Sequence, residues 1–233
     1  MIKAELIQRS PVRIFEKSIH GGLKNGEIGV IASPSGIGKT SVLVQLALDK
    51  LIQEKKVIHV SFTQHTHHVL SWYEDIFDEF VKKKNLDKPD EVKNELVKNR
   101  VLLNFSQDGV TGLQILKSLK ALIVEGGFGA EAIIIDGFDF SRTDRAHLEA
   151  VKAGAQDMGL SIWYSCTVKE DPPYDKNCVP FVLRDYLDLL DVVIILDPKT
   201  DHIELTASKD RDTVNLEHLA VKLDPKTLLI LEG

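Results

Sequence analysis

Short apolar runs alternate with longer amphipathic runs over most of the chain. Residues 27–33 are largely apolar or small and predict a buried strand, whereas residues 39–53 carry leucine and alanine at helical spacing and predict a helix. Because this alternation continues to about residue 190, we expect a mostly parallel central sheet flanked by helices on both faces. The predicted strands of this part are 27–33, 57–62, 101–105, 132–135 and 160–165, and the predicted helices are 39–53, 67–84, 112–124, 146–158 and 181–190.

The pattern changes near the C-terminus, where short strands follow one another with turn residues between them. Asp197-Pro198 and Asp224-Pro225 are typical turn pairs. We therefore expect an antiparallel β-meander over residues 191–233 that extends the sheet at one edge. The predicted fold class is α/β, in one domain over residues 1–233 with residues 1–20 as an N-terminal lead-in. The predicted meander strands are 192–196, 203–208, 218–223 and 227–231.

Composition narrows the classes of protein to consider. The apolar fraction of 43% and the charged fraction of 27% argue against disorder, and no apolar run approaches the roughly 20 residues of a membrane span. The 29 basic and 35 acidic residues give a formal net charge of −6, which disfavours strong sequence-independent binding to nucleic acid. Cys166 and Cys178 are the two cysteines and lack the spacing of a metal site, so a reducing, cytoplasmic location is expected.

The sharpest motif is the stretch 33–40, Ser-Pro-Ser-Gly-Ile-Gly-Lys-Thr, between a predicted strand and a predicted helix. This is the context that a phosphate-binding loop requires. Gly36 and Gly38 allow the backbone to turn its N–H groups toward phosphate oxygens, and the helix dipole adds attraction. We expect Lys39 to reach the β- and γ-phosphates of a nucleotide and the Thr40 hydroxyl to bind Mg²⁺. The expected nucleotide-binding residues are Ser35, Gly36, Ile37, Gly38, Lys39, Thr40 and Ser41.

Two further observations bear on this motif. Ser33 stands where the pattern usually has its first glycine, which removes some backbone freedom but none of the chemical groups. Residues 132–135 form a wholly apolar strand that ends in Asp136, and this carboxylate could hold a magnesium-bound water opposite Thr40. The simpler alternatives are a glycine-containing turn at residues 33–40 and a turn or capping role for Asp136.

Residues 23–32, Leu-Lys-Asn-Gly-Glu-Ile-Gly-Val-Ile-Ala, run directly into the phosphate loop. Together with that loop and Asp136, they make the sequence resemble RecA-like P-loop ATPases, in particular KaiC-like proteins and DnaB-type helicase cores. The resemblance extends from about Gly21 to the C-terminus and includes the closing meander. It implies a RecA-like fold, ATP with Mg²⁺ as cofactors, and a homo-oligomeric ring or filament in which a neighbouring subunit completes each site.

The family usually carries a catalytic glutamate at the end of the strand after the phosphate-loop helix. Here the expected position is Thr63, followed by Gln64. Neither side chain can accept a proton as a carboxylate does, although Gln64 could orient a water as a glutamine does in small GTPases. Asp139 is a conceivable substitute. We therefore expect slow or absent turnover with nucleotide binding retained.

Hexameric relatives carry a Lys-x-Arg pair that reaches the γ-phosphate of the neighbouring subunit, and Lys209 and Arg211 resemble that pair. Strand alternation would place both on one side, as a catalytic contact from the neighbour requires. The alternative is a solvated turn in which Asp210 and Asp212 pair with the two cations.

The remaining signals are weaker. His65, His67 and His68 could suggest a metal site, but a polar rim near the nucleotide is the preferred interpretation. The loop 167–180 carries a net charge of 2 − 3 = −1, so DNA binding is possible but not favoured. Residues 165–167 lie where these relatives sense the γ-phosphate, so the resemblance makes Thr167 a candidate for that role. The aromatic residues Trp72, Tyr73, Phe77 and Phe80 share a helix face and are expected in the core.

The sequence therefore predicts a Mg-ATP-binding domain that acts as a slow ATPase or a nucleotide-gated switch. The alternatives are an inactive regulatory or scaffold module that binds a protein partner, a DNA recombination or repair accessory protein, and a P-loop kinase. No arginine-rich lid is evident, which argues against the kinase. The guanine-specific Asn-Lys-x-Asp pattern is also absent, which favours ATP over GTP.

Overall fold

A computed structural model describes residues 10–62, 66–84, 89–106, 112–169 and 173–233. Its strands are β1 (Ile28–Ser33), β2 (Lys56–Ser61), β3 (Arg100–Asn104), β4 (Ala130–Asp136), β5 (Ser161–Thr167), β6 (Val192–Pro198), β7 (Ile203–Asp210), β8 (Glu217–Leu223) and β9 (Ile230–Glu232). They form one sheet in the order β3-β2-β4-β5-β1-β6-β7-β8-β9. Strands β1 to β6 are parallel, and β7 to β9 continue the sheet as an antiparallel meander. The predicted α/β class, the mostly parallel sheet and the C-terminal meander are confirmed.

The helices cover both faces of this sheet. They are α1 (Pro11–Ser18), α2 (Lys39–Ile52), α3 (Thr66–Lys84), α4 (Pro89–Lys98), α5 (Gly112–Lys120) and α6 (Arg145–Met158). Buried side chains of α1 to α4 pack on one face and those of α5 and α6 on the other. Tyr73 and Phe77 of α3 are buried, and Trp72 and Phe80 pack beside them, so the aromatic residues of this helix belong to the core as predicted.

Three predicted elements differ in the structure. The helix predicted over 112–124 is α-helical only as far as Lys120 and continues as a π-helical turn at Ala121–Glu125. The helix predicted over 181–190 is a 3₁₀ helix at Phe181–Tyr186 that follows Pro180 and ends in turns. The strand predicted from 227 begins at Ile230, because residues 224–228 form a turn closed by a hydrogen bond of 2.8 Å from the Leu228 N–H to the Asp224 carbonyl oxygen.

Alternation along β4 decides where its final carboxylate lies. Ile133 and Ile135 pack on the face covered by α5 and α6, whereas Ile134 packs on the face covered by α2. Asp136, two residues after Ile134, therefore belongs to the α2 face. Across the described ranges, no helix combines the length and apolarity needed to cross a membrane.

Candidate functional site

The loop of residues 33–40 joins the C-terminal end of β1 to the first turn of α2. Gly36 and Gly38 have φ angles of +83° and +108°, in the region that favours glycine. A Cβ atom on Gly38 would also lie only 2.7 Å from Leu223 Cδ2, so this position lacks room for a side chain. The loop is exposed at Pro34, Ser35 and Gly36, whereas Ser33 and Lys39 are buried. An exposed glycine turn at a helix N-terminus can direct backbone N–H groups toward an anion.

Lys39 is the first residue of α2, and its side chain folds back over the loop. Its Nζ donates to the Ser33 carbonyl oxygen at 3.0 Å, to Ser33 Oγ at 3.2 Å and to the Pro34 carbonyl oxygen at 2.7 Å. Burial lowers the pKa of Lys39 below its usual value, while Cys166 and Asp136 partly oppose this effect. The loop therefore contains a nearly buried cation whose hydrogen bonds are made to oxygen atoms of the loop itself.

Thr40 and Asp136 meet although they lie 96 positions apart in the chain. The Thr40 hydroxyl donates to Asp136 Oδ2 at 2.9 Å, and the carboxylate is 3% exposed. Strand β5 separates β4 from β1 in the sheet, so the contact forms where the start of α2 passes over the strand ends. The structure thus brings together the two residues predicted to share a magnesium ion.

Ser165 is a further member of the site, which the sequence included only as part of the range 165–167. Its hydroxyl donates to the other carboxylate oxygen, Asp136 Oδ1, at 2.6 Å and accepts a hydrogen bond of 2.7 Å from the Gly137 N–H. Both oxygens of Asp136 therefore have donors. The sequence placed the end of β5 near the site and singled out Thr167. The choice of Ser165 depends on β5 being the neighbour of β4, which no local pattern specifies.

Ser41 differs from its neighbours in the predicted nucleotide-binding set. Its side chain is fully buried, and Oγ donates to the Leu228 carbonyl oxygen at 2.6 Å. The Gln45 side-chain amide donates to the same oxygen at 2.8 Å and accepts from the Ile230 N–H at 2.7 Å. The Ser41 hydroxyl thus ties α2 to the C-terminal turn instead of pointing toward the exposed part of the loop, which leaves a phosphate contact only to its backbone.

Lys209 and Arg211 lie near the N-terminal ends of the parallel strands, whereas the phosphate loop lies at their C-terminal ends. Strand β7 ends at Asp210, and Arg211 follows in a turn with φ of +51°, so strand alternation does not extend to it. The Arg211 N–H donates to the Asp191 carbonyl oxygen. The Asp191 N–H in turn donates to the carbonyl oxygen of Ile28, which is the first residue of β1. The loop begins at the other end of β1, about 20 Å away for a six-residue strand. Arg211 therefore does not contact the loop of its own chain.

Arg211 is also held by several contacts within the chain. Its guanidinium donates to the two Glu27 carboxylate oxygens at 3.2 and 2.9 Å and to the carbonyl oxygens of Ile19 and Gly22 at 2.8 and 2.6 Å. It also pairs with Asp210, one of the two acids in the predicted alternative to the catalytic role, and Lys209 Nζ donates to the Arg211 carbonyl oxygen. A contact from Arg211 to a neighbouring subunit would require it to leave these partners.

Other predicted site residues are only partly described. Gln64, with Thr63 and His65, lies outside the described residues. The His67 and His68 rings contact each other in a tilted arrangement, with centroids 4.1 Å apart. In the part of the chain that the structure describes, no group of three or more His, Cys, Asp or Glu side chains could hold a metal ion.

Asp139 accepts hydrogen bonds from the Ser141 N–H at 3.0 Å and the Ser141 hydroxyl at 2.6 Å, and it pairs with Lys169 at 3.4 Å. Burial alone would raise the pKa of Asp139, but these hydrogen bonds outweigh it and hold the pKa below its usual value. Asp139 is therefore a weak proton acceptor that is engaged in local structure.

One hydroxyl and one carboxylate are a suitable protein contribution to a magnesium site. Mg²⁺ usually keeps several waters and takes its remaining ligands from substrate phosphates and one or two protein oxygens. Thr40 and Asp136 supply such oxygens beside a loop suited to phosphate.

Comparison of the sequence with protein-family models and with curated proteins gave no match.

Proposed function

We propose that this protein is a RecA-like P-loop domain that binds Mg·ATP at residues 33–40. The observation that carries the proposal is the contact of 2.9 Å between Thr40 Oγ1 and Asp136 Oδ2, beside the loop that holds Lys39. Two short motifs that lie 96 positions apart in the sequence thus meet. Either motif alone has a simple structural explanation, but their meeting supports a common function.

In this proposal the residues have separate tasks. Backbone N–H groups of residues 35–40 and the N-terminus of α2 bind the phosphates, and Lys39 neutralises charge on the β- and γ-phosphates. Thr40 binds the ion, and Asp136 holds one of its waters. The magnesium ion, when bound, neutralises negative charge that develops on the phosphate oxygens.

The strand order of the sheet is compatible with the RecA-like fold that the sequence resemblance implied. The strand that precedes the loop and the strand that ends in Asp136 have one strand between them. Beyond β6, the antiparallel meander continues the sheet, as the sequence resemblance implied. ATP is proposed rather than GTP because the guanine-specific motif is absent from the sequence.

We propose slow turnover, or a switch that depends on nucleotide binding without turnover. Asp139, the acid that could replace the missing glutamate, is engaged by Ser141 and Lys169. Its lowered pKa makes it a poor base for activating water. These observations also favour the alternative of a regulatory module that binds ATP without hydrolysing it.

The proposed assembly is a homo-oligomer in which Lys209 and Arg211 of one subunit approach the nucleotide of the next. Their position at the strand ends opposite the phosphate loop suits a head-to-tail arrangement, because such an interface joins two different surfaces. Arg211 would exchange its contacts with Glu27 and Asp210 for the phosphate of the neighbour.

The test is phosphate release from Mg·ATP over a wide range of protein concentration, with Lys39→Ala as the blank. We expect low activity that is lost in the variant, because Lys39 supplies the phosphate-binding cation. A specific activity that rises with concentration supports sites shared between subunits. ATP binding that requires Lys39, with no phosphate release at any concentration, supports the switch. If ATP binding is absent or equal in wild type and Lys39→Ala, the proposed function is wrong.

A further inference from the structure

Lys39 has an unusually complete set of partners within its own loop. A lysine ammonium group has three N–H donors. Three oxygens lie within hydrogen-bond distance of Nζ, namely the Ser33 and Pro34 carbonyl oxygens and Ser33 Oγ. A nucleotide phosphate that approaches Lys39 must therefore replace one of them.

The Ser33 hydroxyl is the partner that a glycine at this position would lack. Ser33 is fully buried at the end of β1, and its Oγ donates to the Pro34 carbonyl oxygen at 2.9 Å, which directs an oxygen lone pair to Lys39. The backbone of Ser33 is fixed independently, because its carbonyl oxygen also accepts the Val168 N–H at 3.0 Å. The hydroxyl therefore adds a bond to Lys39 without being needed to hold the strand end.

We propose that the Ser33 hydroxyl competes with a nucleotide's β- or γ-phosphate for Lys39 and so weakens the binding of nucleoside di- and triphosphates. The proposal rests on the proposed function. Of the three Nζ contacts, the one to Ser33 Oγ is the longest, at 3.2 Å, and the neutral hydroxyl is a weaker partner than a phosphate oxygen. It is therefore the contact that is exchanged when phosphate binds.

Competition at Lys39 gives a dependence on phosphate number. ATP and ADP carry the phosphates that Lys39 reaches, so their binding includes the loss of the Ser33 bond. AMP has no β-phosphate, so its binding leaves the bond between Ser33 and Lys39 in place. The Ser33 hydroxyl is thus a specificity-determining group that reduces the preference of the loop for di- and triphosphates over a monophosphate.

The test compares wild type with Ser33→Ala by calorimetric titration with Mg·ATP, Mg·ADP and AMP. A hydrogen bond of this kind contributes about 0.5–1.5 kcal/mol net, so we expect Ser33→Ala to bind ATP and ADP about two- to twelvefold more tightly. AMP binding should be unchanged. Ser33→Gly restores the residue usual at this position and is the second variant in case the alanine variant does not fold.

Two controls separate competition from a general effect on structure. In a Lys39→Ala background, Ser33→Ala should restore no ATP binding and should leave any residual ATP affinity unchanged, because the group that it releases is gone. Ser208 is another fully buried serine, with its hydroxyl 3.5 Å from the Val193 carbonyl oxygen, and Ser208→Ala should bind ATP as wild type does.

The outcomes are distinguishable. If wild type binds ATP through Lys39 but Ser33→Ala and Ser33→Gly bind it no more tightly, the inference is wrong and the proposed function stands. An equal gain for AMP, or a gain that persists without Lys39, also overturns the inference. If neither wild type nor the Ser33 variants bind ATP, the proposed function and this inference both fall.

Discussion

At the scale of single residues, the candidate site depends on how each polar group is partnered. Asp136 is almost fully buried, and both of its oxygens accept hydrogen bonds, from Thr40 and from Ser165. If Mg²⁺ binds, Thr40 must turn its oxygen toward the ion, whereas the bond to Ser165 can remain. Ser165 therefore fixes the orientation of the carboxylate during that exchange.

We predict that Ser165→Ala raises the Mg²⁺ concentration needed for half-maximal ATP binding by about tenfold, the lower end of the usual effect of losing such a supporting hydrogen bond. Binding of ATP in the absence of Mg²⁺ should change little. Both quantities can be measured by titrating a fluorescent ATP analogue at fixed Mg²⁺ concentrations.

Ser161→Ala is a matched control, since Ser161 lies on the same strand and contacts the Glu131 carbonyl oxygen at 3.3 Å, away from Asp136. If Ser165→Ala and Ser161→Ala have the same magnesium dependence as wild type, Ser165 does not position the carboxylate.

At the scale of elements, β2 and α3 are joined by a buried polar contact on the face that also carries Asp136. His59 Nδ1 lies 3.1 Å from the Tyr73 hydroxyl, and His59 Nε2 is buried without a partner among the described residues. Burial, reinforced by the positive charge of Arg100, lowers the pKa of His59 to about 4, and Asp136 only partly opposes this. His59 therefore remains neutral in the folded protein at neutral pH.

Because the pKa of His59 is lower in the folded protein than in the unfolded chain, the free energy of unfolding depends on pH. The unfolded chain has an ordinary histidine pKa of about 6.5, so it binds a proton below that pH while folded His59 does not. The His59 contribution is complete above pH 6.5 and decreases as the pH falls toward 4. We predict that, between pH 7 and pH 5, His59 accounts for about 2 kcal/mol of lost unfolding free energy.

Urea unfolding of wild type and His59→Gln at the two pH values would measure this contribution. Glutamine keeps a polar group near Tyr73 but does not titrate, so the variant should lose less stability on acidification. An equal loss in both proteins would show that other groups cause the pH dependence.

At the scale of the whole molecule, the two groups of proposed site residues lie at opposite ends of the parallel strands. The phosphate loop and Asp136 lie at the C-terminal ends, whereas Lys209 and Arg211 lie beside the start of β1. Within one chain, Lys209 and Arg211 are therefore too far from the phosphate loop to contact a nucleotide there. The proposed catalytic contact needs a neighbouring subunit.

We predict that mixing two inactive variants, Lys39→Ala and Lys209→Ala, partly restores phosphate release if wild type has measurable turnover. In a head-to-tail assembly, some interfaces pair an intact phosphate loop with an intact Lys209 from the next subunit. Each variant alone, at the same total concentration, is the control. If the mixture releases no more phosphate than the variants alone, Lys209 does not act across an interface.

Much of this organisation was predictable from sequence, because it depends on local chemistry. The alternation of apolar runs predicted the class of the fold, and the sequence around Gly36, Gly38 and Lys39 predicted a phosphate loop from backbone freedom and charge alone. Asp136 could be suggested because an acid ended an apolar strand. The bounds of regular elements were least certain at 181–190 and 227–231, where turn hydrogen bonds compete with regular structure.

The sequence by itself determined the candidate phosphate loop and the candidate acid Asp136, because both are recognised from neighbouring residues along the chain. Only the tertiary structure decided their partners. It placed Ser165 rather than Thr167 against Asp136. It directed the Ser41 hydroxyl toward the Leu228 carbonyl oxygen. It also placed Arg211 in contact with Glu27, at the strand ends opposite the loop. These outcomes depend on the order of strands in the sheet and on contacts between distant segments, because packing of the whole chain selects one arrangement among many that the local pattern permits.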